Sequence, residues 1–407
     1  MATSIYAIEI DPSNENIVYI GFENGQLWKT TDGGTTWTRL NSTFFANKTV
    51  KDIVCHPTTP AIVLVATEGG FYRTTDAGAN FTQIATGDYQ EIELHPTDPN
   101  TVYTVKGTGS LTQFFKSTNN GVTFTQKTSG WPATATQSRT ELAVTAASAD
   151  RVYASCTGSI NGGSGTYGTY LSTDKGETWT FQCCGTGPGG APVAGSNINM
   201  MGWQPDGSDD GGQYYYNFAY AVHPSDANFV LNGGTNLWFS ADGGKNFNCP
   251  SKWSQSGDPD YVHADIHDIK IYGNDIWVST DGGIWYSKDK GVNFEKRFKG
   301  IAGTDFWGFG IGYGAVGYRV MTGGAYHNGT QLMDNNVYQG GWAVINGGDG
   351  SGGGVNPVND RIIFSDRGTQ KIPGTRTGSV TSVTWGKNPN NDYTTGKASN
   401  IVYSPIQ

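Results

Sequence analysis

The chain has 407 residues, of which 59 are glycine and only 15% are charged, with 12 Trp, 21 Tyr and 18 Phe. So much glycine argues against a helical protein and for an all-β one with many tight turns. The formal net charge is −9 and no basic run occurs, so a nucleic-acid or anionic-membrane partner has no electrostatic support. No apolar stretch is long enough for a transmembrane segment, and Met1-Ala2-Thr3-Ser4 leads into a strand pattern instead of a signal peptide.

Four short strand patterns open the chain, at 5–10, 16–21, 25–29 and 37–40, with turn signals between them. The last two flank Thr30-Thr31-Asp32-Gly33-Gly34-Thr35-Thr36-Trp37, a Ser/Thr-x-Asp-x-Gly-x-x-aromatic box. The box returns at 74–81, 117–124, 172–179, 240–247 and 287–294, and the same strand order surrounds each copy. Its third-position residues are Asp32, Asp76, Asn119, Asp174, Asp242 and Asp289, spaced by 44, 43, 55, 68 and 47 residues, which is the size of one four-stranded propeller blade. In such a turn Asp or Asn binds backbone N–H groups, Gly supplies positive φ and the aromatic packs beneath, so these six residues are structural. His56, His95 and His223 each precede proline at one turn of the repeat and read as turn residues.

Beyond Phe294 the boxes stop but the rhythm continues. Runs at 306–311, 318–322 and 342–345 suggest a seventh blade, and runs at 352–355, 361–365 and 379–385 an eighth. The expected fold is a single all-β propeller of seven to eight four-stranded blades, eight favoured, over residues 1–385. Residues 386–407, with the strand-like run Ile401-Val402-Tyr403, form a closing strand or the start of a following segment. The longest insertions are the Gly/Ser-rich stretch 157–168 and the stretch 183–216, and loops of that length in a compact domain are where function is sought first.

Five cysteines, Cys55, Cys156, Cys183, Cys184 and Cys249, have no Cys-x-x-Cys spacing and are odd in number, which argues against a cysteine zinc site and leaves room for one or two bridges, Cys183 with Cys249 among the options. His263-x-Asp265-x-His267 would place three side chains on one face of an extended segment, where they could ligate a divalent metal, calcium or zinc, with Asp281 approaching from the next strand. The alternative is that the histidines hydrogen-bond neighbouring loops. Asp206, Asp209 and Asp210 offer oxygen ligands for calcium, or an ordinary solvated turn.

The boxes and their flanking strands resemble the Asp-box (bacterial neuraminidase repeat) propellers of the branch that includes sortilin and the xyloglucanases. The runs Gly212-Gln213-Tyr214-Tyr215-Tyr216-Asn217, Tyr261-Val262-His263-Ala264-Asp265-Ile266-His267-Asp268, the Gly-Thr-Gln…Asp-Asn segment at 329–335 and Gly347-Gly348-Asp349-Gly350 are similar to a set in large exported bacterial surface proteins. Here Leu332 and Met333 separate Gln331 from Asp334, unlike the family pattern. The resemblance implies a secreted or cell-surface protein, neighbouring domains in a larger chain, and binding through face loops to a polysaccharide or protein ligand. Trp203, Tyr214, Tyr215, Gln331, Asp334 and Asn335 are the candidate binding residues. The competing expectation is a glycoside hydrolase, which needs two carboxylates about a cleft, with Asp349, Asp265 and Asp281 as candidates. Sialidase chemistry is disfavoured, since none of the nine arginines lies in a Phe/Tyr-Arg-Ile/Leu-Pro motif.

Overall fold

A computed structural model describes residues 4–40, 45–108, 111–132, 137–160, 163–184, 198–297, 306–312, 320–325, 328–338, 341–350, 352–356, 359, 361–365, 368–375 and 377–382. The strands assemble into eight antiparallel four-stranded sheets, as favoured from the repeat. The first six belong to one compact unit (1–297) and the last two to a second (298–407). Residues 386–407, and with them the expected closing strand, lie outside the described residues.

Blade one shows the common plan: Ile5–Ile10, Val18–Phe22, Leu27–Thr30 and the two-residue strand Thr38–Arg39, each paired with the next. Strands rich in β-branched and aromatic residues stack blade on blade, and the core lies between them: Tyr19, Leu27 and Phe45 of the first repeat meet Val50, Ile53, Val63 and Tyr72 of the second.

The repeated turns form the expected hydrogen bonds. Asp76 Oδ1 accepts from Thr74 Oγ1 at 2.6 Å and Asn80 N at 2.8 Å, while Thr74 Oγ1 also accepts from Gly78 N at 3.1 Å. Such bonds to Thr36, Thr74 and Asn293, among others, hold Asp32, Asp76 and Asp289 down at about 2. A depressed carboxylate stabilises the fold above its unfolded value and loses that contribution as pH falls through about 2. Asp76→Ala should therefore lower the urea midpoint at neutral pH, and the gap from the parent should narrow towards pH ~2, where the parent's Asp76 becomes protonated. Asp76→Asn should keep most of the turn, as Asn119 does naturally by accepting from Thr123 N at 3.0 Å. Equal behaviour of the Ala and parent chains at neutral pH would contradict this.

The histidine–proline turns are also local caps. His56 Nδ1 accepts from Thr59 N at 3.1 Å and His95 Nδ1 from Asp98 N at 3.1 Å, while Asp11 serves the equivalent turn of blade one by accepting from Ser13 N at 2.8 Å.

Two expectations are corrected. The Gly/Ser-rich stretch 157–168 is largely strand: Val152–Ile160 and Gly163–Ser172 form one long hairpin, because small residues tolerate extended backbone once a partner strand supplies the hydrogen bonds. The disulfide joins the adjacent Cys183 and Cys184, with Cys184 at φ +70°, and Cys55, Cys156 and Cys249 are buried thiols.

Candidate functional site

In the first unit the opening strand of each blade lines a cavity of about 800 Å³. Several of these strands carry a β-bulge near their start. In blade six the register passes from Ile266↔Thr280 to Asp268↔Ser279, so His267 is the extra residue. A bulge re-aims a side chain. His267 Nε2 thereby meets Asp281 Oδ1 at 2.7 Å, and Tyr216 Oη donates to the same carboxylate at 3.0 Å to both oxygens. The Tyr216 and His267 rings stand edge to face, 5.1 Å apart.

Asp265 precedes this strand at φ +64°, a sparsely populated conformation for a residue other than glycine. It is only 5% exposed, and its Oδ1 accepts from Gln213 Nε2 and, at 2.6 Å, from Asn217 Nδ2. The Asp281 N–H donates to the Asp265 carbonyl at 3.3 Å, which ties the two acidic residues together through the backbone. His263 turns elsewhere. Its ring packs where a Cβ on Gly282 would stand, 2.2 Å from Cγ, so that position needs glycine.

The positive φ at Asp265 and the bulge at His267 thus break the period-two alternation that would have set His263, Asp265 and His267 on one face. Among the described residues, no group of three His, Cys, Asp or Glu is placed to hold a metal ion. Asp206 and Asp209 are engaged in turn hydrogen bonds, Asp206 with Ser208 N at 3.0 Å and Asp209 with Trp203 N at 2.7 Å.

Next to this cluster, residues 198–217 form a built loop. Met200 and Met201 anchor it in the core between blades four and five. Asn199 organises it, accepting from Thr166 N at 3.0 Å and Met201 N at 3.1 Å and donating to the carbonyls of Asp209 at 2.8 Å and Gly211 at 2.6 Å. Trp253 Nε1 donates to the Trp203 carbonyl at 2.9 Å, and Asn236 bridges the same two residues, donating to Trp203 O at 3.2 Å and accepting from Trp253 N at 3.1 Å. Both indoles remain exposed, at 43% and 41%, with Tyr215 at 76% and Tyr216 at 43%. Arg139 clasps the far end, donating to Tyr214 O at 3.1 Å and Phe218 O at 3.4 Å while paired with Glu141 at 2.8 Å. Tyr214 is partly buried against the core.

The other candidates lie in the second unit. Gln331 and Asp334 belong to the strand Gly329–Asp334 and are buried. Gln331 Nε2 donates to Asn328 O at 2.6 Å, and Asp334 pairs with Arg361 and accepts from Asn336 N at 3.0 Å. Asn335 is exposed, and Asp349 is half-buried beside Gly348 at φ +84°. Tyr216 and Trp253 were missed from sequence. Tyr216 stood within a noticed tyrosine run, whereas nothing local marks Trp253.

No family model matches the chain. A stretch of 79 residues, 19% of the chain, is 33% identical to a xyloglucanase of Hypocrea jecorina (strain QM6a) and spans 9% of that protein. Among solved structures, the GH74 xyloglucanase from Xanthomonas campestris superposes with a TM-score of 0.55 at 12% identity, over 94% of this chain and 67% of that one. An ancestral GH74 enzyme gives 0.58 at 15% identity, over 92% and 53%. The chain is a β-propeller. At these identities the likeness is one of fold.

Proposed function

We propose that this propeller is an extracellular carbohydrate-binding module. The observation that carries the reading is the aromatic platform: Trp203 and Trp253, fifty residues apart, are locked together by the indole N–H bond and by Asn236, yet leave their rings to solvent. Exposed rings carried on a hydrogen-bonded backbone suit the apolar faces and hydroxyl edges of pyranose rings. A disulfide in the chain fits an oxidising compartment and hence export. A protein ligand on the same face loops is the other form of this reading.

A glycoside hydrolase is the second reading. It is favoured by Asp281, a carboxylate held by Tyr216 and His267 in a fold shared with xyloglucanases. His267 with Nε2–H directed at Asp281 presents Nδ1 as an acceptor, an arrangement able to orient a water. Glycoside hydrolysis needs a second carboxylate across a cleft, and Asp265 is buried and engaged by Gln213 and Asn217. The binding reading therefore stands first. Its test is depletion of the chain from solution by insoluble plant and microbial polysaccharides: retention on at least one polymer is expected, and recovery in the supernatant from all of them would reject a glycan ligand.

A further inference from the structure

The wall of the first unit's cavity carries a pattern that the platform does not use. Glu9 Oε1 accepts from Cys55 N at 3.0 Å, Asp52 Oδ2 from Ile92 N at 2.7 Å, and Glu91 Oε2 from Leu142 N at 2.7 Å. In each case a carboxylate on the opening strand of one blade receives an N–H from the opening strand of the next. These strands have a sheet neighbour on one side only, so the carboxylates cap edges that would otherwise leave donors unpaired. The caps also crowd Glu9, Asp52, Glu91, Glu93 and Glu141 onto one wall.

Among the described residues that line this cavity, the cations are few. Lys51 is paired with Asp88 at 2.7 Å, Arg139 with Glu141 at 2.8 Å and Lys270 with Asp268 at 3.5 Å, and His267 with Asp281 at 2.7 Å. The blade-five strand contributes no charged group to the lining, only Tyr220 among titratable residues. Lys51 and Arg139 are each matched by one carboxylate, and Lys270, itself beside Asp268, is the cation whose field reaches Glu9, Asp52 and Glu93.

We propose that this carboxylate wall is a proton-linked brace, which holds blades one to four together while it is protonated and loosens their contacts as it ionises. A protonated carboxyl retains its carbonyl oxygen as acceptor for the next blade's N–H, so the caps persist in weaker form on protonation, while the cost of burying the charges and their mutual repulsion disappear. Burial raises Glu9 and Asp52 to about 7 and Glu93 to about 8, and burial followed by the Glu141 charge raises Glu91. The Asp268 charge lifts Lys270 above its usual range, so that ammonium stays charged throughout. A carboxyl raised in the folded state costs nothing below its unfolded value and lowers stability as pH rises through the folded one. The sign is opposite to that of the box aspartates. The carboxylates are largely buried but not sealed from the cavity, and water there reduces the energy involved.

The test is urea denaturation of the whole chain at constant ionic strength between about pH 5.5 and 8.5. The midpoint should fall towards the alkaline end. Asp52→Asn and Glu93→Gln should each flatten that fall, and the exposed Glu15→Gln, away from the cavity, should leave it unchanged. A flat profile in the parent, or an undiminished slope in both cavity variants, would overturn the proposal. Should the variants fail to fold, the carboxyl C=O stretch of the unsubstituted chain decides: a protonated band persisting at about pH 6.5 and lost by about pH 8.5 supports the brace, and its absence at the lower pH overturns it.

Discussion

Trp203→Ala should weaken retention on the cognate polysaccharide by roughly thirty-fold, about 2 kcal/mol or more, while leaving the unfolding midpoint nearly unchanged. The ring is exposed, so its removal opens no cavity in the core, and the loop beneath it is held by groups that the substitution leaves in place. Those are the Trp203 N–H bond to Asp209 at 2.7 Å and the Trp203 carbonyl bond from Trp253 at 2.9 Å. Trp253→Phe should have a smaller effect on retention, since it keeps an aromatic face but removes that indole N–H and loosens the pair. Asn236→Ala should loosen the backbone that carries both rings, because it removes the bridge to Trp203 O and from Trp253 N. Depletion isotherms with each variant read the ranking. Trp203→Ala binding as tightly as the parent would remove the platform from the account.

Phe71→Ala should cost about 3–5 kcal/mol, a large share of the ~5–15 kcal/mol that holds a typical domain folded. Phe71 is fully buried between blades two and three, its ring 4.7 Å from Phe124 and 5.6 Å from Tyr89, in a cluster with Ile62, Leu64, Ile92 and Val102. Phe124 is the terminal aromatic of the third box, so the vacancy would open under the turn as well as between the sheets. Neighbours held by two sheets collapse poorly into such a space. Phe71→Leu should lose less, about 1.5 kcal/mol, since it refills most of the volume. Urea denaturation of the two variants checks the order, and an Ala variant within 1 kcal/mol or so of the parent would show that the blades do not depend on this contact.

The boxes made the blades legible because each carries its own turn chemistry: the hydrogen bonds of Asp76 or Asp289 need only residues within four positions. The first strand of blade one, 5–10, and the existence of blades seven and eight followed from the same repeat. What failed to show in sequence depends on register or on distant partners. The spacing sets His267 in alternation with Asp265, and the bulge that displaces it leaves no residue signature here. The pairing of His267 with Asp281 was partly anticipated from their adjacent strands, whereas Trp253 reaches Trp203 only through the packing of the loop. Gln331 and Asp334 are binding candidates on a segment where Leu332 and Met333 depart from the family pattern; in the structure Leu332 and Met333 complete a strand, and Asp334 is held by Arg361. The acidic wall had a visible trace, since Glu9, Asp52 and the Glu91-Ile92-Glu93 alternation all fall in the opening strand of a repeat, but only the fold brings them to one cavity.

The most direct test of the central claim measures retention and turnover on the same polymers: depletion from solution, with reducing-end release followed in the same tubes, for the parent chain and Asp281→Asn. The binding account predicts retention on at least one polymer, no release above background, and little change in Asp281→Asn. Sustained release by the parent that disappears in Asp281→Asn would contradict it and make the cluster of Asp281, His267 and Tyr216 the centre of a hydrolase.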